Sequence, residues 1–234
     1  MEKKRDLKNF TILTTEPNFF SQIKKLESQK TLNYNGNKIF KNIHSLGDDF
    51  FDIELFWEAT KEIESEALNE FGDVEKIPQI IKTVVKTSIL GLSSSNVVYM
   101  FARSPLVTRQ AIDMLQAIVS IEFNSVRLNN NFYSNILNNH FFKISRLSYQ
   151  SLSQINNYTI SNMNSDEYFL NQVDLENNAI TNASIFLDNF TRIRISSTGR
   201  VSLYNFQGSK NMREIINIID TLLIESGIAG GKEE

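Results

Sequence analysis

The sequence lacks cysteine and contains only two histidines and three prolines. The absence of cysteine excludes a disulfide-stabilised scaffold, a thiol nucleophile and any zinc or iron–sulfur site with cysteine ligands. Two histidines cannot supply a three-histidine metal site. No apolar run approaches the roughly 20 residues that a membrane-spanning helix needs. These absences point away from secreted disulfide-rich domains, from zinc sites with cysteine or three histidine ligands, and from membrane-spanning helices.

Positive and negative charges nearly balance, with 24 basic and 27 acidic residues and a formal net charge of −3. This balance argues against a chain that coats nucleic acid by bulk charge, but it allows a basic surface on one face. The acidic residues are concentrated between Glu58 and Glu75, whereas residues 192–213 carry five basic residues and no acidic one. The charge is therefore distributed unevenly along the chain.

What the chain does contain is enough apolar material for a core. Of its 234 residues, 41% are hydrophobic and 17 are phenylalanine, which suits one domain of ordinary size or two small ones. The 27 asparagines alternate with apolar residues instead of forming tracts, so we expect an ordered protein. The charged N-terminus lacks the apolar segment of a signal peptide, and we expect an intracellular protein.

Catalytic motifs are absent. His44 and His140 lie far apart and outside any nucleophile motif, and no nucleotide-binding glycine pattern occurs. Asp48, Asp49 and Asp52 are not surrounded by a calcium-binding loop. We therefore expect no enzymatic activity, no cofactor, no bound metal and no small-molecule substrate.

Hydrophobic periodicity predicts an α+β chain of two similar halves. In the first half it predicts a strand over 9–15, a helix after Pro17, strands over 51–57, 77–92 and 97–101, and a helix from Pro105. The acidic segment 59–72 is predicted as a helix closed by Gly72, either a solvated helix face or a partner site. In the second half it predicts a hairpin over 192–206 and a final helix from Ser209 to Gly227.

The two hairpin–helix units align without a gap at an offset of 104 residues, which places Ser93–Val97 on Ser197–Val201 and Arg109 on Arg213. This alignment predicts an internal duplication of β-α-β-β-β-β-α units. It also predicts one antiparallel sheet with helices on one side.

Alternation in the second hairpin separates two faces of the sheet. Ile193, Ile195, Val201 and Leu203 point one way and are predicted to pack under the final helix. The other face carries polar side chains, namely Arg192, Arg194, Ser196, Ser202 and Tyr204. Two interpretations remain open: an ordinary solvated sheet face, or a surface that binds phosphates and bases.

The second hairpin resembles the TATA-binding protein family, whose two repeats each end in a hairpin with a Ser-Ser-Gly-Lys-type turn followed by a helix. The run Ile-Ser-Ser-Thr-Gly199-Arg200-Val-Ser-Leu-Tyr is similar to that turn and its outgoing strand, and Ser-Ser-Ser95-Asn96-Val-Val-Tyr-Met is a weaker copy. The resemblance implies a saddle of two β-α-β-β-β-β-α repeats, with one curved antiparallel sheet and helices on its convex face. Residues 8–127 would form the first repeat, with an acidic helical insertion at about 59–76. Residues 131–226 would form the second repeat, followed by a disordered tail over 227–234.

The resemblance also implies a function: a transcription initiation factor that binds the minor groove of AT-rich double-stranded DNA through the concave sheet face. Asn9 would read base edges, and Phe51 and Leu92 would insert between base steps, as kinking side chains do. The other expected DNA contacts are Arg192, Arg194, Ser196, Arg200 and Tyr204.

On the convex side, the resemblance implies a surface for RNA polymerase or general transcription factors, formed by Arg109, Lys210 and Arg213. The expected location is the nucleus or cytoplasm, or a viral factory or virion if the chain is viral. The alternative hypothesis is a protein-interaction or scaffold subunit that kept the saddle fold and lost specific DNA binding. No membrane contact is expected in either case.

Overall fold

The computed structural model describes residues 8–17, 19–29, 31–46, 49–138, 142–153, 156–161, 173–187, 191–204 and 212–229. Within these residues the chain forms one open sheet of twelve strands and four helices. Every strand pair is antiparallel. The predicted α+β class and the antiparallel sheet are therefore confirmed.

The first half contains six strands and two helices. They are β1 (Asn9–Thr15), α1 (Phe19–Leu26), β2 (Thr31–Tyr34), β3 (Asn37–Leu46), β4 (Phe50–Leu68), β5 (Val74–Leu92), β6 (Val97–Phe101) and α2 (Pro105–Val119). Helix α2 begins where the sequence indicates, because the Ser104 hydroxyl accepts a hydrogen bond from the Val107 amide and Pro105 occupies the first turn.

The second half repeats this order. It contains β7 (Phe123–Ser125), α3 (Asn130–Asn138), β8 (Lys143–Ser151), β9 (Asn157–Ser161), β10 (Asn178–Phe186), β11 (Arg192–Ser196), β12 (Arg200–Tyr204) and α4 (Met212–Glu225). Each half therefore reads strand, helix, five strands, helix, with one strand more than predicted. Local periodicity did not predict helix α3, although the repeated unit implied a helix at this place in the order.

The strands lie in the order β2-β3-β4-β5-β6-β1-β12-β11-β10-β8-β9, and β7 pairs with the end of β1. Strand β1 joins the halves, because Phe10 lies opposite Phe101 of β6 on one side and Val201 of β12 on the other. The halves differ at their outer edges, since β2 and β3 follow chain order whereas β9 lies outside β8.

The helices cover both faces of the sheet, contrary to the prediction that they lie on one side. Helices α1 and α2 pack on a first face, marked by Leu13, Val98 and Met100. Helices α3 and α4 pack on a second face, marked by Ile12 and Tyr99, which alternate with those residues. All five residues of β6 are buried as a result.

The gapless alignment at offset 104 is also wrong, because the two turns differ in length. Gly91 pairs with Val98 in the first hairpin, whereas Ile195 pairs with Val201 in the second. The first loop is therefore one residue longer than the second. Since side chains alternate along a strand, the offset of 104 places Val97 and Val201 on the same face but Ile89 and Ile193 on opposite faces.

The acidic segment is not helical but part of a long hairpin. Strands β4 and β5 have 19 residues each and pair from Phe50↔Leu92 to Leu68↔Val74. Strand β3 pairs with β4 only as far as Trp57, and β6 pairs with β5 only from Ser88. We call residues 58–84 the arm. Its acidic residues alternate with apolar and small ones at period two, which suits a strand.

The prediction of a disordered tail over 227–234 is wrong for its first three residues. Helix α4 ends at Glu225, and the chain then reverses at Gly227, whose φ is 68°. The Ile228 amide donates to the Leu223 carbonyl at 2.9 Å, and Ala229 is buried against the core. Residues 230–234 lie outside the described part of the chain.

Candidate nucleic-acid interface

In the second half of the sheet, beyond α1 and α2, none of the described helices covers the first face. Cross-strand pairing builds rows of side chains on it. One row runs through Asn9, Ser202, Arg194, Ser184, Arg146 and Ser161, each opposite the next. A second row runs through Tyr204, Arg192, Phe186 and Lys143. Thr11 and Arg200 begin a third. We call this surface the arginine face.

The arginine face carries one sign of charge. Strands β8 to β12 contain four arginines, one lysine and no acidic residue. Lys143, Arg146, Arg194 and Arg200 are exposed. The Arg192 guanidinium lies over the Tyr204 ring, 4.6 Å from its centroid, which holds both groups at the surface.

The turn at the end of β11 is rigidly hydrogen-bonded. The Ser196 hydroxyl contacts the Thr198 hydroxyl at 2.9 Å and accepts from the Arg200 amide at 3.1 Å. Gly199 has a φ of 69°, which favours glycine, and its carbonyl accepts from the Ile12 amide at 2.8 Å. This turn fixes the direction in which Arg200 leaves the hairpin.

The structure thus brings together six of the eight residues predicted to contact DNA. Asn9, Arg192, Arg194, Ser196, Arg200 and Tyr204 share one face of three adjacent strands. Two cations on that face, Lys143 and Arg146, were not predicted. Nothing in the sequence indicated that β8 would lie two strands from β11, although its alternation of Arg146 with buried Leu147 marked an open face.

The other two predicted DNA contacts lie elsewhere. Phe51 is 1% exposed, and its ring lies 5.7 Å from that of Phe19 and 5.9 Å from that of Phe20 under helix α1. Leu92 lies opposite Phe50 and packs against the core of the second face. The predicted pair of inserting side chains is therefore wrong, because one is core and the other lies on the opposite face.

The predicted partner surface is divided as well. Arg109 is exposed on α2, above the first face, whereas Arg213 lies on α4, on the second face. Arg213 forms an ion pair with Asp49, and its guanidinium lies 5.7 Å from the centroid of the Phe50 ring. Arg109 and Arg213 therefore do not share a surface. Lys210 lies outside the described residues.

A buried carboxylate that the sequence did not indicate joins the halves. Asp220 of α4 is 2% exposed and accepts from the Ser95 hydroxyl at 2.9 Å and the Tyr99 hydroxyl at 3.1 Å. Burial raises the pKa of Asp220 above its ordinary value, although the two hydrogen bonds oppose that shift. Burial, with Asp220 beside it, likewise raises the pKa of Tyr99.

The histidines and aspartates do not form a metal site in the part of the chain that the structure describes. There, no cluster of three or more His, Asp or Glu side chains is suited to a metal ion. His44 lies 3.7 Å from the Glu54 carboxylate, which also contacts Lys86 at 3.3 Å. Asp48 and His140 lie outside the described residues.

No protein-family model matches the sequence, and a search of curated proteins finds no match. None of the described helices is both long and apolar enough to cross a membrane.

Proposed function

We propose that this protein binds double-stranded DNA through the arginine face. One observation supports the proposal above the others: four arginines and a lysine project from a single sheet face that no described helix covers and whose five strands hold no acidic residue. An ordinary solvated face mixes both signs of charge. A surface of one sign attracts a polyanion and gains affinity as counterions are released.

The dimensions of the face suit a duplex. Five strands at about 4.8 Å spacing span about 19 Å, enough to cover a groove and the phosphates on both sides. Arginine forms bidentate hydrogen bonds with phosphate oxygens. Ser184 lies between Arg194 and Arg146, and Ser202 and Asn9 continue the same row beyond Arg194. These short polar side chains can make further contacts to the backbone or to base edges.

We further propose a role in transcription initiation, with RNA polymerase or general factors as partners. The repeated order of strand, helix, five strands and helix, together with the Ser-Thr-Gly199-Arg200 turn, supports a relationship to the two-repeat TATA-binding protein family. Insertion of Phe51 and Leu92 is not part of this proposal, and neither is a one-sided saddle. Without these two side chains, we expect contacts to phosphates to dominate over kinking.

Fluorescence anisotropy with an AT-rich duplex tests the proposal. Arg194→Ala with Arg200→Ala is expected to weaken binding about 10- to 100-fold, because each arginine loses a charged hydrogen bond. The slope of log affinity against log salt is expected to fall by about 1.8, or roughly 0.9 per lost phosphate contact. A GC-rich duplex and a single strand of equal length measure the preference for AT-rich duplex DNA.

The matched control is Lys24→Ala with Lys25→Ala, which removes two positive charges from the exposed side of α1. This variant is expected to bind DNA as the wild type does. Equal loss in both double variants, or no salt-dependent binding by the wild type, would exclude the arginine face as a DNA site.

The second candidate function, an interaction or scaffold subunit, is favoured by the arm. Leu68, Phe71 and Val74 at its tip are 72%, 89% and 63% exposed. Exposed apolar side chains at a projecting tip are typical of protein contact sites. Absence of salt-dependent DNA binding in the titration above would support this function.

A further inference from the structure

The arm presents a row of acidic side chains. Glu58, Glu62, Glu64 and Glu66 occupy alternate positions of β4 and therefore share one face, with neighbouring carboxylates of 62, 64 and 66 about 6.8 Å apart along the strand. All four are exposed. From Glu58 to Val84 the arm carries seven acidic residues and three lysines. Lys82 and Lys76 form exposed ion pairs with Glu58 and Glu64, which offset only part of this charge.

The arginine face has the opposite charge and a similar spacing. Arg192 and Arg194 are two residues apart on β11, also about 6.8 Å. Arg146 lies on the same row as Arg194, with Ser184 between them. A strand that carries a carboxylate at every second residue can therefore place successive carboxylates beside successive cations of this face.

One molecule does not bring its own two surfaces together. Four strands, β5, β6, β1 and β12, separate β4 from β11, and the glutamate row continues the second face whereas the arginines belong to the first. The complementary surface is available on a second copy of the chain. Each copy carries one arm and one arginine face, so a two-fold arrangement satisfies both contacts and closes.

We propose that two copies associate by exchanging arms, with the glutamate row of each arm on the arginine face of the other. The contact does not depend on the proposed DNA binding. If both occur, they compete, because they use the same cations. The arm then acts as a regulator that keeps the arginine face covered until DNA displaces it.

Charge reversal with complementation tests this contact by sedimentation velocity. The face variant carries Arg146→Glu with Arg194→Glu, and the arm variant carries Glu62→Lys with Glu66→Lys. Wild type is expected to dimerise at 50 mM salt and to dissociate at least tenfold more readily at 1 M, where the screening length is about 3 Å. Each variant alone is expected to be monomeric, because like charges would face each other.

An equimolar mixture of the two variants is the decisive sample. In the mixed pair, the basic arm meets the acidic face, and the unchanged acidic arm meets the unchanged arginine face, so dimers are expected to return. The control Lys24→Glu with Lys25→Glu lies on α1 and changes the net charge by the same amount as the face variant. It is expected to dimerise as the wild type does. Circular dichroism of each variant checks that it is folded.

Three outcomes would overturn the proposal: a monomeric wild type at both salt concentrations, dimers that survive in either variant, or a mixture that stays monomeric. A wild type that is monomeric at both salt concentrations would indicate a different partner for the arm, such as a basic protein. DNA titration of the arm variant separates this proposal from the proposed function. That variant is expected to bind the AT-rich duplex at least as tightly as wild type, whereas the face variant is expected to lose binding.

Discussion

At the scale of single residues, Asp220 is the contact that most clearly ties the two halves. Its carboxylate, on the last helix, accepts hydrogen bonds from Ser95 and Tyr99 of the first half. A buried carboxylate stabilises such a junction through these bonds, but burial destabilises its charged form because the charge loses its contact with water. The raised pKa of Asp220 means that the carboxyl binds a proton more readily in the folded state than in the unfolded state.

Substituting Asp220→Asn is expected to remove this pH dependence. In the wild type, a folded-state pKa above 3.8 makes the stabilising contribution full below that value, and it is lost as pH rises through the folded-state pKa. The variant keeps an acceptor oxygen and carries no charge. Urea unfolding at pH 4 and pH 7 is therefore expected to show a gain in the free energy of unfolding for Asn over Asp that is larger at pH 7.

The Asp220→Ala variant provides the contrast. Relative to Asp220→Asn, it removes the acceptor and leaves the buried Tyr99 hydroxyl without it, at an expected cost of about 1–3 kcal/mol at both pH values. A difference between Asn and Asp that does not change with pH would show that the carboxyl has the same pKa in the folded and unfolded states.

At the scale of elements, the arm and the base of the same hairpin differ in what they contribute to the fold. Residues 60–82 pair only within the arm, among the described residues, and most of their side chains are exposed. At the base, Gly91 lies against the Phe51 ring, and a Cβ there would lie 2.5 Å from Phe51 Cζ and 3.0 Å from the Val97 carbonyl oxygen. Stability is therefore concentrated at the base.

Replacing residues 60–82 by Asn-Gly is expected to leave the fold intact. Ala59 lies opposite Thr83, so a two-residue turn can close the shortened hairpin. The midpoint temperature of thermal unfolding, measured by circular dichroism, is expected to change by no more than a few degrees, because little of the core is lost. By contrast, Gly91→Ala is expected to cost about 1–3 kcal/mol through overpacking. Unfolding of the shortened chain would contradict this division.

At the scale of the whole molecule, the halves share one sheet and cover each other. Strand β1 of the first half pairs with β12 of the second, and α4 of the second half packs over Phe10, Ile12 and Tyr99 of the first. These side chains are 3%, 0% and 0% exposed. The predicted repeats, 8–127 and 131–226, are thus joined by a common core.

The intact chain is consequently expected to unfold in one cooperative transition. Circular dichroism and the fluorescence of Trp57, the single tryptophan, should give the same urea midpoint. A fragment of residues 1–127 is expected to lack stable structure, because removing α4 exposes apolar side chains on the second face. Two separate midpoints, or a fragment that unfolds as cooperatively as the whole chain, would contradict this expectation.

Local patterns were sufficient for individual elements. Alternation of Ile193 and Ile195 with arginines predicted β11 and its polar face, and the bounds of β1 agree with the predicted strand over 9–15. The start of α2 followed from Ser104 and Pro105. These predictions succeeded because side-chain periodicity and capping act over a few residues. The arm was mispredicted because acidic, helix-favouring residues outweighed their period-two order, which the opposite strand β5 stabilises by pairing.

By itself, the sequence determined which side chains share a face of each strand, including most of the arginine face. Only the tertiary structure decided which face of the continuous sheet each helix covers. It also decided that Phe51 lies in the core. The reason is the register of the strands. Because Phe10 pairs with Val201, the side chains that pack under α4 lie on the second face, whereas α2 covers the first face. A pairing between residues 191 positions apart leaves no trace in local periodicity. It is nevertheless the reason why no helix of the described residues covers the arginine face.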